Sequence, residues 1–185
     1  MTESTQKQDY LVVQKVLHWL MALAIMFDLY VAQKLGGVMT DVDRFESRSD
    51  HATLGTIVTV LLLIRIYLRW KHGSPPLPDT MPNWQKLFAH LAHWGLYTLI
   101  AGLVTTGILS AMNASSVVAP FGLFSYGDGT GDAATFLFIR GFHEFATNAI
   151  IALIAVHIVA ALYHSIFVRD GVTGAMLKFW KSERA

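Results

Sequence analysis

The chain has 185 residues, is 54% hydrophobic and only 15% charged, and carries a formal net charge of +1 with a mean hydropathy of +0.45. About 25% charge is usual in a soluble domain, so this composition excludes a disordered or nucleic-acid-binding chain and points to a membrane. The absence of cysteine excludes disulfides, iron–sulfur clusters, thiolate zinc sites and covalently attached c-type haem, and leaves eight histidines as the strong metal ligands.

A spanning helix needs roughly 20 mostly apolar residues, and four segments qualify. The first predicted span runs from about Val16 to Leu35 and holds His18, Asp28 and Gln33. It has no small-x-small cleavage site and carries ionisable groups inside its apolar stretch, so it reads as a span and not as a signal peptide. The connection over 36–50 is polar and acidic. The second span runs from about His51 to Leu68, with Arg65 near its end. Residues 71–86 then hold four of the five prolines and cannot be helical throughout. The third span runs from about Phe88 to Met112.

The longest connection, 113–136, contains Gly-Asp-Gly-Thr-Gly-Asp at 127–132. That run superficially resembles a phosphate-binding glycine loop. No strand precedes it and the spacing is wrong for G-x-G-x-x-G, so it is expected to be a flexible turn. The fourth span, about Leu137 to Val168, is the longest. The expected fold class is all-α: an integral membrane four-helix bundle forming one domain over residues 1–185, with no internal repeat. Ten of the fourteen Lys and Arg residues fall in the two termini and the second connection. Both termini are therefore expected to be cytoplasmic, with the first and third connections on the opposite side of the cell's inner membrane.

Seven histidines lie in or at the edge of a span: His18, His51, His90, His93, His143, His157 and His164. Ionisable groups in spans are costly unless they pair, line a pathway or bind something. His143 and His157 are 14 residues apart, hence about 40° apart around the helix and about 21 Å apart along it. One helix face thus presents an imidazole near each side of the membrane. Two haems stacked across a bilayer require this arrangement, because each haem iron takes an axial ligand from two facing helices. Zinc ligands instead cluster around one ion, which histidines 21 Å apart cannot do.

Depth assigns the partners. His51 and His143 both begin their spans on the outer side, and His18 lies toward the cytoplasmic side with His157. His164, seven residues beyond His157, also matches His18 by depth. It would place the two levels about 31 Å apart, and electron tunnelling falls exponentially with distance, so His157 is the preferred ligand. Small residues near the ligands, Gly55, Ala146 and Ala160, would let a flat macrocycle approach the backbone. His90, His93 and His164 are candidate contacts for a haem propionate or a quinone head, or plain interfacial residues beside Trp84 and Trp94. Arg140, one turn before His143, is a candidate propionate or anion contact, or a membrane-edge anchor. Asp28 has no partner assignable from spacing, and Glu144 is expected to point away from His143.

Several segments resemble the bacterial cytochrome b561 family of four-helix diheme membrane cytochromes. They are Lys-Val-Leu-His-Trp at 15–19, Asp-His-Ala-Thr-Leu-Gly at 50–55, the run 65–76, the run 89–97, and above all 141–171 with its three histidines and trailing Arg169-Asp170. The resemblance covers nearly the whole chain. It implies two haems b, held by His18 with His157 and by His51 with His143, and a link to the ubiquinone pool. It also implies an activity like superoxide oxidation, in which outer superoxide gives electrons that reduce ubiquinone with protons from the cytoplasm. The third connection is longer than the compact family pattern and is expected to overlie the outer entry. Two other readings share these features: a membrane-anchor subunit relaying electrons for a soluble redox partner protein, and a haem-free, histidine-lined ion transporter.

Overall fold

The computed structural model describes residues 9–35 and 40–179. Four long helices follow one another: α1 (Val12–Lys34), α2 (Asp41–His72), α3 (Asn83–Met112) and α4 (Ala133–Tyr163). A 3₁₀ turn, Pro120–Gly122, lies in the third connection. A π-helical turn, His164–Val168, prolongs α4, and the short α5 (Gly174–Leu177) follows it. There is no strand among the described residues. Each long helix is long and apolar enough to cross a membrane, so the fold is a transmembrane four-helix bundle.

The helices overrun the predicted spans where polar residues cap them. Gln14 Oε1 accepts the Leu11 amide at 3.1 Å to start α1. Thr40 Oγ1 accepts the Asp43 amide at 3.1 Å, which opens α2 ten residues before His51, inside what was expected to be a connection. Gly73, at φ 66°, ends α2 in a conformation that glycine adopts freely. Asp132 Oδ2 accepts the Thr135 amide at 2.7 Å and starts α4.

The hairpins α1–α2 and α3–α4 pack closely, and α2 against α3 joins them. Among the described residues the backbones of α1 and α2 make no extensive contact with α4. One apolar layer crosses the middle: Met21 from α1, Val58 and Leu62 from α2, Ile100 from α3 and Ile150 from α4. Ile150 is 1% exposed and lies seven residues from both His143 and His157.

The third connection is fastened down. Phe121 N donates to Thr53 Oγ1 (2.8 Å), Arg48 Nη1 donates to Ser116 Oγ (2.9 Å), and the Tyr126 and Thr56 hydroxyls lie 2.8 Å apart. The glycine run at 127–132 is not a loose turn. A Cβ on Gly127 would stand 3.0 Å from the Met112 carbonyl oxygen, and one on Gly131 would collide with the Asn113 backbone. These glycines permit close approach to the end of α3. The loop is tied to the face of α2 bearing Ser49, Thr53 and Thr56, roughly opposite His51, and through Ser116 to Arg48 on the His51 face. At the other end Lys15, 2% exposed, donates to Asp9 Oδ2 and to the Lys178 carbonyl, both at 2.7 Å, and Trp19 Nε1 donates to the Met176 carbonyl at 3.1 Å. The tail after α4 is thereby held against α1.

Two outcomes are expected. Ile150→Ala should lower stability by about 1–3 kcal/mol, the packing part of a buried truncation, since lipid is as apolar as the core. Thermal unfolding in detergent measures it. The Thr135 amide, and the Thr135 side chain after it, hold the Asp132 carboxyl below its ordinary pKa. A depressed carboxylate stabilises the fold above its unfolded pKa, and the effect is lost as pH falls through the folded value. The melting-point gap between wild type and Asp132→Ala should therefore shrink on acidification.

Candidate functional site

Facing imidazoles occupy two levels of the bundle. His51 of α2 meets His143 of α4 with ring centroids 6.0 Å apart and planes at 83°. His18 of α1 meets His157 of α4 at 6.4 Å and 66°. Both pairs bridge helices whose backbones stay apart, so each spans a slot and not a tight helix contact. The rise of α4 sets the levels about 21 Å apart, with the Met21–Ile150 layer between them.

The rings of the first pair are oriented by hydrogen bonds on Nδ1. His51 Nδ1 lies 2.7 Å from Asp28 Oδ1, an ion-pair contact across α1 and α2. His143 Nδ1 lies 2.9 Å from Thr106 Oγ1, which itself donates to the Gly102 carbonyl at 2.7 Å. Thr106 therefore accepts from His143. In both rings Nδ1 is the donor and Nε2 is left available. Gly107 lets the ring sit close to α3, because a Cβ there would lie 3.3 Å from His143 Cε1. A Cβ at Gly55 or Gly102 would meet nothing within 4 Å.

The second pair is flanked differently. No hydrogen-bond partner holds the His18 or His157 ring among the described residues. His93 stands 5.4 Å from His157, ring to ring, with its Nδ1 2.6 Å from the Ala89 carbonyl, and it is exposed on α3. Arg65 Nε donates to Tyr97 Oη at 3.1 Å and Nη1 to the Gln14 carbonyl at 3.4 Å. These residues line a small hollow with Tyr10, Leu17 and Arg69. The three candidates His90, His93 and His164 are not one group. His90 is exposed, and His164 pairs through Nδ1 with Asp170 Oδ2 at 2.6 Å where the π turn ends.

Beyond the His51–His143 pair, toward the starts of α2 and α4, a hollow is lined by Leu35, Arg44, Arg48, Phe136, Leu137 and Arg140. Arg44 and Arg48 lie seven and three residues before His51, on its helix face, and Phe136 and Arg140 stand likewise to His143. Arg140 Nε donates to Glu144 Oε1 at 2.8 Å, which gives that carboxylate its partner.

This donor set fits one kind of prosthetic group. No three His, Cys, Asp or Glu side chains gather around a common point among the described residues, so the protein offers facing pairs of imidazoles and no complete coordination sphere. Two imidazoles trans across one metal, each bonded at about 2 Å, place their ring centroids roughly 6 Å apart. A flat macrocycle would supply the remaining ligands and would fit the slot between helices.

Comparison with known proteins agrees: residues 9–179 match the model of the prokaryotic cytochrome b561 family. The chain belongs to that family. It is similar to a probable superoxide oxidase, CybB, of Yersinia pestis (25% identical over 171 residues, covering 92% of this chain and 96% of the relative). It is also similar to a cytochrome b562 of Cereibacter sphaeroides (28% over 179 residues, 94% and 98%). A b561 cytochrome is a transmembrane electron-transfer protein, and membership implies b-type haem.

Sequence reasoning had no signal for Thr106 or Arg65 as neighbours of the histidines, and none for the partner of Asp28; all three relations cross between helices. One prediction follows from the fit around His143. Gly107→Val should displace the ring and lower bound haem per chain, whereas Gly102→Ala should leave it unchanged. A pyridine haemochrome count on purified protein reads both.

Proposed function

We propose that the protein is a diheme cytochrome of the bacterial inner membrane that oxidises superoxide on the outer side and reduces ubiquinone, with both termini in the cytoplasm. The observation that carries the reading is the two imidazole pairs, at 6.0 and 6.4 Å, bridging helices otherwise held apart. In it His51 and His143 ligate the outer haem and His18 and His157 the inner one. Haem, when bound, supplies reversible one-electron iron chemistry at each level. Two superoxide ions give one electron each and leave as dioxygen, and ubiquinone takes those two electrons and two protons to become ubiquinol.

The chain's own residues set access and order. Arg44, Arg48 and Arg140 make the outer hollow positive and draw an anionic donor toward the His51–His143 level. The Met21, Val58, Leu62, Ile100 and Ile150 layer keeps water out between the levels. His93 is the quinone contact best supported of the three candidates, because it is exposed at the helix surface and adjoins His157. Its Nδ1 donates to the Ala89 carbonyl, so Nε2 is the atom that first takes a proton from the cytoplasmic side and then passes it to the quinone oxygen. His164, paired with Asp170, stands in the tail as a proton-side group.

The membrane-anchor reading keeps one observation in its favour: Phe121, Leu123 and Phe124 are exposed at the tip of the third connection, Leu123 at 82%. A soluble redox partner would find an apolar foothold there.

Purified protein should show two haems b per chain and a sharp reduced α-band, and should reduce ubiquinone when supplied only with superoxide. Replacing any one of His18, His51, His143 or His157 by Ala should abolish the coupled reaction. His93→Ala should keep the spectrum and slow quinone reduction about tenfold, the usual order for a lost proton-transfer group. Arg44→Gln with Arg48→Gln should slow the superoxide step most at low ionic strength. A colourless protein after haem-sufficient expression would sink the proposal, and a strict need for an added protein donor would favour the anchor.

A further inference from the structure

Asp28 lies inside the first span, where a carboxylate is costly unless something holds it. Its Oδ1 is 2.7 Å from His51 Nδ1, and its side chain is only 17% exposed. The four facing histidines are therefore not equivalent. His51 donates to a carboxylate and His143 to a hydroxyl, while no hydrogen-bond partner holds His18 or His157 among the described residues. Arg65 donates to the Gln14 carbonyl, one turn before His18 on α1, which puts a cation toward that level.

We infer that Asp28 sets the direction of electron flow: by accepting the Nδ1–H of His51 it makes that imidazole a more anionic ligand and holds the haem at the His51–His143 level at a lower reduction potential than its neighbour. The inference rests on the diheme reading above. A carboxylate behind a ligating histidine raises the ligand's basicity. A more basic axial ligand stabilises the ferric over the ferrous state, and axial ligands with their hydrogen bonds are the protein's main control on haem potential. Arg65 acts on the other level in the opposite sense, favouring the reduced state there. Arg44, Arg48 and Arg140 oppose Asp28, but they act through space from one to two turns away, and Arg140 is already paired with Glu144. Asp28 acts through the ligand itself. An electron entering at the arginine-lined end then runs downhill to the level beside His93, where the acceptor is proposed to bind.

The test is an anaerobic redox titration of the purified holoprotein, read in the visible spectrum. Asp28→Asn keeps an oxygen to accept the Nδ1–H but removes the charge. One of two one-electron components should rise by at least a tenfold change in its reduced-to-oxidised ratio at fixed potential, 59 mV for a one-electron couple, while the other stays and both haems remain bound. Asp28→Glu should bring the moved component back down. Unmoved components with two haems bound, or two components moving together, would overturn the inference. If Asp28→Asn loses a haem, the ferric wild type decides: electron paramagnetic resonance should show one haem with the smaller g anisotropy of an imidazolate-like ligand, and two indistinguishable haems would count against it. Wild-type protein without haem would instead overturn the diheme reading itself, and its featureless spectrum separates that failure from this one.

Discussion

Fourteen residues of α4 separate His143 from His157, and most of the architecture answers to that interval. It leaves the two imidazoles on nearly one face and about 21 Å apart. Each then requires a partner from a different helix, α2 at one level and α1 at the other. A ring-to-ring distance near 6 Å cannot be kept if the backbones collapse onto each other. The bundle therefore puts its close packing into the α1–α2, α3–α4 and α2–α3 contacts and leaves α4 apart from α1 and α2. The apolar layer around Ile150 is where the helices can meet without closing either slot.

The same economy governs polar groups. In a membrane an unpaired donor is expensive, and the threonine hydroxyls inside the spans are satisfied locally. Thr53, Thr56, Thr59, Thr105, Thr106 and Thr147 each return a hydroxyl proton to the carbonyl three or four residues back or to a neighbouring side chain. Thr106 does two jobs, because the bond to Gly102 leaves its oxygen lone pairs facing His143. Asp28 and His51 satisfy each other.

The spans were legible because a bilayer demands about 20 apolar residues and tolerates few substitutes. The four facing histidines were legible because helix periodicity converts spacing into face and depth. The start of α2 was not: residues 41–50 are polar, and a helix projecting beyond the apolar zone leaves no hydropathy mark. The tight seat of the 127–132 glycines was hidden as well, since its cause is the backbone of residues 111–117, reached only on folding. Asp28 drew notice as a charge in a span, yet a single carboxylate has no periodicity from which to find a partner 23 residues away on another helix. His90, His93 and His164 looked alike by depth, and only their packing separates an exposed residue, a neighbour of His157 and a partner of Asp170.

The latch at the tail bears on how such a chain is made. Lys15 is nearly inaccessible, and one of its two acceptors is the carbonyl of Lys178, while Trp19 waits for that of Met176. Both acceptors leave the ribosome after all four helices. Until then α1 has at its end a cation neutralised by Asp9 but lacking its carbonyl acceptor. The first helix synthesised is thus the last to have its end secured, and a chain cut short before residue 176 would leave α1 without either tail acceptor even though every span had been inserted.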